Sequence, residues 1–288
     1  MIATRLDLRK VADCFVSMNT LKLIGALWCA ACALSCNVLK WQFIVKRFAH
    51  GTTRDITASY FAGFPYALAT PAGIGELGRC MYLPDVDKRT GISLTLIDKM
   101  FNMLLVVLFG TGATLLLTDR LPSLLLLIGG VFAGTLLSIV ALYLAAPRML
   151  YMLALKIPML RHKKTRPLLS VLKKTTPHDN IIIFSFSLVS YIFFCTEFVL
   201  FATAITPIPS LFALQSFMSA MLIKNLVPLS IADLGVREAS LIGLFAFGGY
   251  AKEPALAASL MQYTMNVLVP AVIGTVIIAY KGGRTYGR

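Results

Sequence analysis

Charge is what this sequence has least of. Only 14% of its 288 residues are Asp, Glu, Lys or Arg, against 58% hydrophobic residues and a mean hydropathy of +0.79. A water-soluble globule of this size carries far more charge, so the composition excludes one and points to an integral membrane protein. Histidine is nearly absent: His50, His162 and His178 all fall in polar segments and make no ligand cluster. The six cysteines form no disulfide framework. Cys29, Cys32 and Cys36 share a helix face in "CAACALSC", but small residues within an apolar stretch serve close packing, and no second thiol pair or nearby His completes a metal site. No G-x-x-x-x-G-K-[ST] loop is present, which excludes work driven by the chain's own ATP hydrolysis. No cofactor is expected. The first twenty residues lack the form of a cleavable signal, since Arg5, Asp7, Arg9, Lys10 and Asp13 interrupt them. Leu8, Val11, Phe15 and Met18 instead fall near one helical face, which predicts a short interfacial helix.

What the chain does have is long apolar runs. Residues 121–146 carry no charge over 26 positions, 255–280 form another such run, 100–117 and 23–39 are shorter, and 181–205 is interrupted only by Glu197. These runs are continuous rather than alternating, so they predict an all-α polytopic bundle and not a β-barrel. The whole of 1–288 reads as a single membrane domain. The excess of basic residues follows from topology and implies no nucleic-acid partner. Between 147 and 179 stand Arg148, Lys156, Arg161, Lys163, Lys164, Arg166, Lys173 and Lys174 against a single Asp, which predicts a cytoplasmic loop by the positive-inside rule and gives that loop a second use in holding anionic headgroups.

Two stretches break the apolar pattern in the same way. "TPAGIGELGRC" (70–80) and "VPLSIADLGVR" (227–237) align without gaps from Pro71 and Pro228 to Gly78 and Gly235, and an Arg follows in each, Arg79 and Arg237. Farther on, "NMLLVVLFGT" from Asn102 matches "NVLVPAVIGT" from Asn266 in its Asn, Leu, Gly and Thr. The chain therefore holds two copies of one unit, about 55–117 and about 211–280. Each copy begins with an apolar piece too short to cross a bilayer comfortably, 56–69 or 211–223, and then meets Pro and Gly. These read as two re-entrant broken helical elements. With 40–54, 80–92 and 147–179 inside, "TPIPS" (206–210) outside and the basic tail (Lys281, Arg284, Arg288) inside, the first element enters from the cytoplasmic face and the second from the opposite face. The expected architecture is an inverted repeat, the sequence signature of transporters with a central site.

Ionisable residues at such depth are costly and need a partner or a task. Glu76, Arg79, Asp233, Arg237 and Glu238 are placed to meet near the bilayer interior. One reading makes them struts, Glu76 pairing with Arg79 and Asp233 with Arg237; the other makes them a binding site. At these residues the sequence resembles the transmembrane region of lysylphosphatidylglycerol synthases and its stand-alone relatives. The resemblance rests on "LKWQFIVKRF", "PAGIGELGR", "IDKMFN" and "VPLSIADLGVREASLIGLFAFGG" and covers about residues 35–280. It implies a lipid translocase whose motif positions fall on Glu76, Arg79, Arg237 and Glu238. The sequence departs from the pattern at Asp98, Lys99 and Asn102, where relatives commonly show Glu-Arg and a following Asp, and at Ala232 and Asp233, where a Gly-Gly pair is usual. The leading transmembrane helix of relatives is not evident.

The expected activity is movement of a phospholipid or polyprenyl-phosphate-linked lipid between leaflets of a plasma membrane. In that reading a wet cavity lined by Arg79, Arg237, Lys99 and Lys224 holds the phosphate, and Glu76, Asp98, Asp233 and Glu238 orient those cations. Glu197 is a further candidate. The alternatives are a membrane-embedded glycosyltransferase, for which only Asp85-Val86-Asp87 has a metal-binding spacing inside what reads more simply as a turn, and a non-transporting partner of a lipid-modifying enzyme. The chain ends eight residues after the last run, which leaves no room for a soluble synthetic domain, and it is not expected to be an enzyme.

Overall fold

A computed structural model of the chain describes residues 8–16, 18–70, 73–83, 86–117, 134–135, 138, 174–226 and 234–285. Among these the chain is helical, with no strand. A short helix α1 (Leu8–Val16) stands where the amphipathic N-terminal pattern predicts one. Helices α2 (Thr20–Phe48), α4 (Lys88–Leu117) and α5 (Pro177–Ile205) are long and apolar enough to span a membrane, and so is Lys252–Tyr280, making four candidate spans among the described residues. At ~1.5 Å per residue each is ~43–45 Å long, enough for hydrocarbon and headgroup layers together. The last span comprises α8 (Lys252–Tyr263), a π-helical turn (Thr264–Leu268) and α9 (Val269–Thr285). Between the spans lie α3 (Thr53–Leu68), a 3-10 segment (Ile74–Tyr82), α6 (Ser210–Leu226) and α7 (Val236–Phe247). The expected span 121–146 falls outside the described residues at all but three positions, as does the basic loop up to 173.

Local chemistry explains the starts. Asn19 caps α2 by accepting from Lys22 N at 3.1 Å. Thr176 and Asp179 form a reciprocal capping box ahead of α5, with Asp179 N donating to Thr176 Oγ1 at 3.2 Å and Thr176 N to Asp179 Oδ2 at 3.0 Å, and Pro177 takes the first helical position. These two caps are equivalent positions. Adding 157 to the bounds of α2, Thr20 and Phe48, gives Pro177 and Ile205, the bounds of α5, and the same shift carries the start of α3, Thr53, to Ser210, the start of α6. The correspondence thus reaches further back than the expected unit boundaries near 55 and 211.

Helices α2 and α5 pack against each other antiparallel. Lys22 Nζ donates to Thr203 O at 2.8 Å near one end, Asn37 Nδ2 to Ser190 Oγ at 2.6 Å midway, and Arg47 Nε to Asp179 at 2.8 Å at the other. The long helix of each unit then packs on the short helix of the other, α4 on α6 and α9 on α3. Two glycines permit this. A β-carbon on Gly110 would lie 2.8 Å from both Met218 O and Leu222 Cβ, and one on Gly274 would collide with Phe61 O and stand 2.8 Å from Pro65 Cδ. Gly110 and Gly274 are matched in the repeat, and the shift of 157 turns Phe61 and Pro65 into Met218 and Leu222. The two contacts thus fall at matched positions of the two units. The core follows suit: Trp41 and Ile44 anchor one buried cluster, and their equivalents Phe198 and Phe201 anchor the other.

Candidate functional site: two buried arginine clusters and a polar chamber

The 3-10 segment places Arg79 wholly inside the bundle, 0% exposed. Its Nη2 donates to Asp98 Oδ2 at 2.8 Å and its Nε to Thr95 Oγ1 at 3.1 Å, both on α4, while Nη1 reaches Glu76 Oε1 at 3.4 Å. The guanidinium carbon lies 3.6 Å from the centre of the Trp41 ring, so the flat cation is also stacked. Asp98 is shared: its Oδ1 pairs with Lys40 Nζ at 2.7 Å, and Lys40 is 0% exposed as well. Glu76 Oε2 takes a closer partner than Arg79, Lys99 Nζ at 2.5 Å. The expected Glu76–Arg79 pair is therefore the long edge of a five-membered network in which three cations face two carboxylates. The surplus positive charge sits at its margin, on the part-exposed Lys99.

A second cluster repeats the first. Arg237, at the start of α7, donates through Nε and Nη2 to Glu238 Oε1 at 3.0 and 2.7 Å and through Nη2 to Ser259 O at 3.2 Å. Glu238 also accepts from Ser259 Oγ at 2.9 Å and from Gly235 N at 2.8 Å, which caps the helix. The shift that carries Asn102 to Asn266, 164, carries Thr95 to Ser259, so both arginines meet the same position of their long helix. Asp233, expected beside Arg237, lies outside the described residues, as do Pro71, Pro228 and Asp85. Asp87 Oδ2 accepts from Arg89 N and Thr90 N at 3.1 and 3.3 Å, the behaviour of a turn residue opening α4.

Between the two units lies a chamber of about 250 Å³. Its wall includes Asn37 from α2, Glu76, Asn102 from α4, Ser187 and Ser190 from α5 and Asn266 from the π turn, set among Tyr60, Phe64, Tyr191 and Phe194. Of the residues proposed from sequence, Glu76 reaches this wall and brings Lys99 with it. Arg79 and Asp98 are packed behind Glu76, Arg237 and Glu238 stand in their own cluster, and Lys224 is part-buried near the end of α6. Neither arginine lines the chamber, so the expected shared lining of Arg79 and Arg237 is replaced by two separate clusters. Sequence reasoning passed over Lys40, Asn102 and Asn266 as site residues. The match of Asn102 with Asn266 in the repeat marked the two asparagines as equivalent, and nothing in the sequence singled out Lys40.

The family model described as "Lysylphosphatidylglycerol synthase TM region" matches residues 1–274. The chain belongs to this family. What it matches is the membrane region rather than a synthase domain, and the helical spans agree with an integral membrane protein. No curated protein matches the chain.

Proposed function

We propose that this chain of the lysylphosphatidylglycerol synthase transmembrane-region family is a lipid translocase of a plasma membrane, passing a phosphate-bearing headgroup between leaflets. The observation that carries the proposal is the chamber: polar side chains from both units meet inside a bundle of largely apolar spans. In hydrocarbon an unused polar wall is costly, whereas a headgroup crossing the membrane needs one. About 250 Å³ fits a headgroup and leaves the acyl chains outside.

The antiparallel packing of α2 on α5 supports an inverted repeat, because equivalent helices that both span and run oppositely are related by an axis in the membrane plane. Helices α3 and α6, of 16 and 17 residues, reach only ~24–26 Å and are the re-entrant arms of that reading. Lys46 and Arg47 end α2 beside the start of α5, which supports the reading that this end and the basic loop 147–179 are cytoplasmic; the reading takes the C-terminus to the same side. Glu76 and Lys99 meet the headgroup; Arg79 and Asp98 hold Glu76 in place; Arg237, Glu238, Asp233 and Lys224 serve the second half. The test is reconstitution of the purified chain in vesicles with tail-labelled phospholipids and a membrane-impermeant quencher. Protein-dependent loss of inner-leaflet protection is expected. Vesicles whose inner leaflet stays protected would instead favour a non-transporting partner of a lipid-modifying enzyme.

A further inference from the structure

The two asparagines of the chamber are equivalent in the repeat yet held by opposite chemistry. Lys40 Nζ forms an ion pair with Asp98 Oδ1 at 2.7 Å and donates to Asn102 Oδ1 at 2.6 Å and Ser187 Oγ at 3.2 Å. An ammonium only donates, so Asn102 turns its oxygen to Lys40, and its Nδ2 amide is left for the chamber. The shift of 157 carries Lys40 to Glu197, and the shift of 164 carries Asp98 to Gln262. Glu197, 0% exposed, makes no ion pair with any described residue. Its two oxygens accept from Asn266 Nδ2 at 2.9 and 2.7 Å, and the same amide reaches Gln262 O at 3.1 Å. Both protons of Asn266 are thus committed away from the chamber, and its Oδ1 accepts from no described residue. The π turn at Thr264–Leu268 is the local widening that carries this side chain.

We propose that Asn102 and Asn266 form a polarised headgroup site, a donor from one repeat opposite an acceptor from the other, with Lys40 and Glu197 as the positioning residues that set each amide. The site takes a phosphodiester headgroup that carries its own hydrogen-bond donor. Asn102 Nδ2 donates to a phosphate oxygen, and the ligand's hydroxyl or ammonium donates to Asn266 Oδ1, with the Glu76 carboxylate on the same wall. Asn102 and Asn266 are specificity determinants by this account, a role distinct from the arginine clusters. The inference rests on the translocase reading for its setting but makes its own claim about binding.

The experiment compares three tail-labelled lipids with the same phosphodiester: phosphatidylglycerol, whose donor is a hydroxyl; phosphatidylethanolamine, whose donor is an ammonium; and phosphatidylcholine, which has none. Each is measured twice, for translocation in vesicles and for the shift in thermal midpoint that it gives the protein in detergent. Loss of one hydrogen bond, worth ~0.5–1.5 kcal/mol, predicts a preference of up to about tenfold for the two donor lipids over phosphatidylcholine. Asn266→Leu should bring both donor lipids down to the phosphatidylcholine level and leave phosphatidylcholine unchanged. Asn102→Asp, which still accepts from Lys40 but turns a second oxygen to the phosphate, should weaken all three lipids alike. If Asn266→Leu does not fold, Asn266→Ala carries the same expectation. A difference between the two donor lipids tells ammonium from hydroxyl. Selective, Asn266-dependent binding without translocation would sink the translocase reading and keep the site. A wild-type protein indifferent to the donor in both readouts, or an Asn266 variant that weakens all three lipids equally, overturns the site.

Discussion

Asp98→Asn removes one charge and unsettles two others. Asp98 is the carboxylate shared by Lys40 and Arg79, both fully buried, at 2.7 and 2.8 Å. With Glu76 and Lys99 the network holds three cations against two acids, so the substitution raises its net charge from +1 to +2 while leaving its shape unchanged. Lys40 then has only neutral acceptors, among them Asn102 and Ser187, and the one carboxylate left to Arg79 is Glu76 at 3.4 Å, which Lys99 already holds. Breaking a buried pair by removing one partner costs ~3–5 kcal/mol, chiefly because the remaining charge stays buried. Here two charges are stranded, so the upper end of that range is expected. Lys40→Met combined with Asp98→Asn restores the net charge to +1 and should recover most of the loss, since an aliphatic chain of similar length fills the same space. The assay is equilibrium unfolding of Asp98→Asn, Lys40→Met, the double variant and wild type in mixed micelles, followed by tryptophan fluorescence, for which Trp41 against Arg79 is a local reporter. An Asp98→Asn protein as stable as wild type would refute the network's energetic role. A double variant as unstable as the sum of the two singles would refute the charge argument and leave only lost packing.

Three further outcomes follow from particular contacts. Gly110→Ala should destabilise by ~1–2 kcal/mol, because overpacking against Met218 O and Leu222 outweighs the helix propensity gained, whereas Gly112→Ala, two residues away in open space, should be neutral or stabilising; thermal midpoints of the two variants side by side check this. Arg79→Lys keeps the charge but cannot both stack on Trp41 and reach Thr95 and Asp98, so lipid movement should fall by tenfold or more in protein that still folds; stability and flipping that decline in parallel would make Arg79 a strut and nothing else. Thr176→Ala removes one half of the capping box of α5 and should cost ~1 kcal/mol in the same unfolding assay, with translocation unchanged.

Most of the fold was legible because hydropathy and helix-breaking residues report it directly. The runs at 23–39, 100–117, 181–205 and 255–280 each became a span, lengthened at the ends by polar turns that the apolar count leaves out. The repeat was legible only where its residues are alike. Pro71, Gly78 and Asn102 have identical counterparts, so alignment found them, but α2 and α5 share almost nothing at their key position, where Lys40 answers to Glu197. The helix bounds reveal that pair, because a shift of 157 carries α2 onto α5. The charges of the site were found as rare ionisable residues in apolar surroundings. Their pairings were not, because i to i+3 spacing suggested Glu76 for Arg79 while the strongest partner, Asp98, comes from another helix. The asparagines were missed as site residues because a neutral amide gives no sequence signal of depth; only the accounting of which donor meets which acceptor shows what it offers.

If the fold is the proposed inverted repeat, its two halves need a way to treat the two faces of a membrane differently. In an inverted repeat the backbone presents the same route to both leaflets, so direction has to come from side chains that break the symmetry. The reciprocal contacts of Gly110 and Gly274 and the matching arginine clusters preserve the symmetry. The break is concentrated at Lys40–Asp98 and Glu197–Gln262, where an ion pair in one half faces a lone carboxylate and a neutral amide in the other. On the proposed reading a headgroup is therefore held in one sense only, phosphate toward Asn102 and donor toward Asn266, whichever leaflet it comes from.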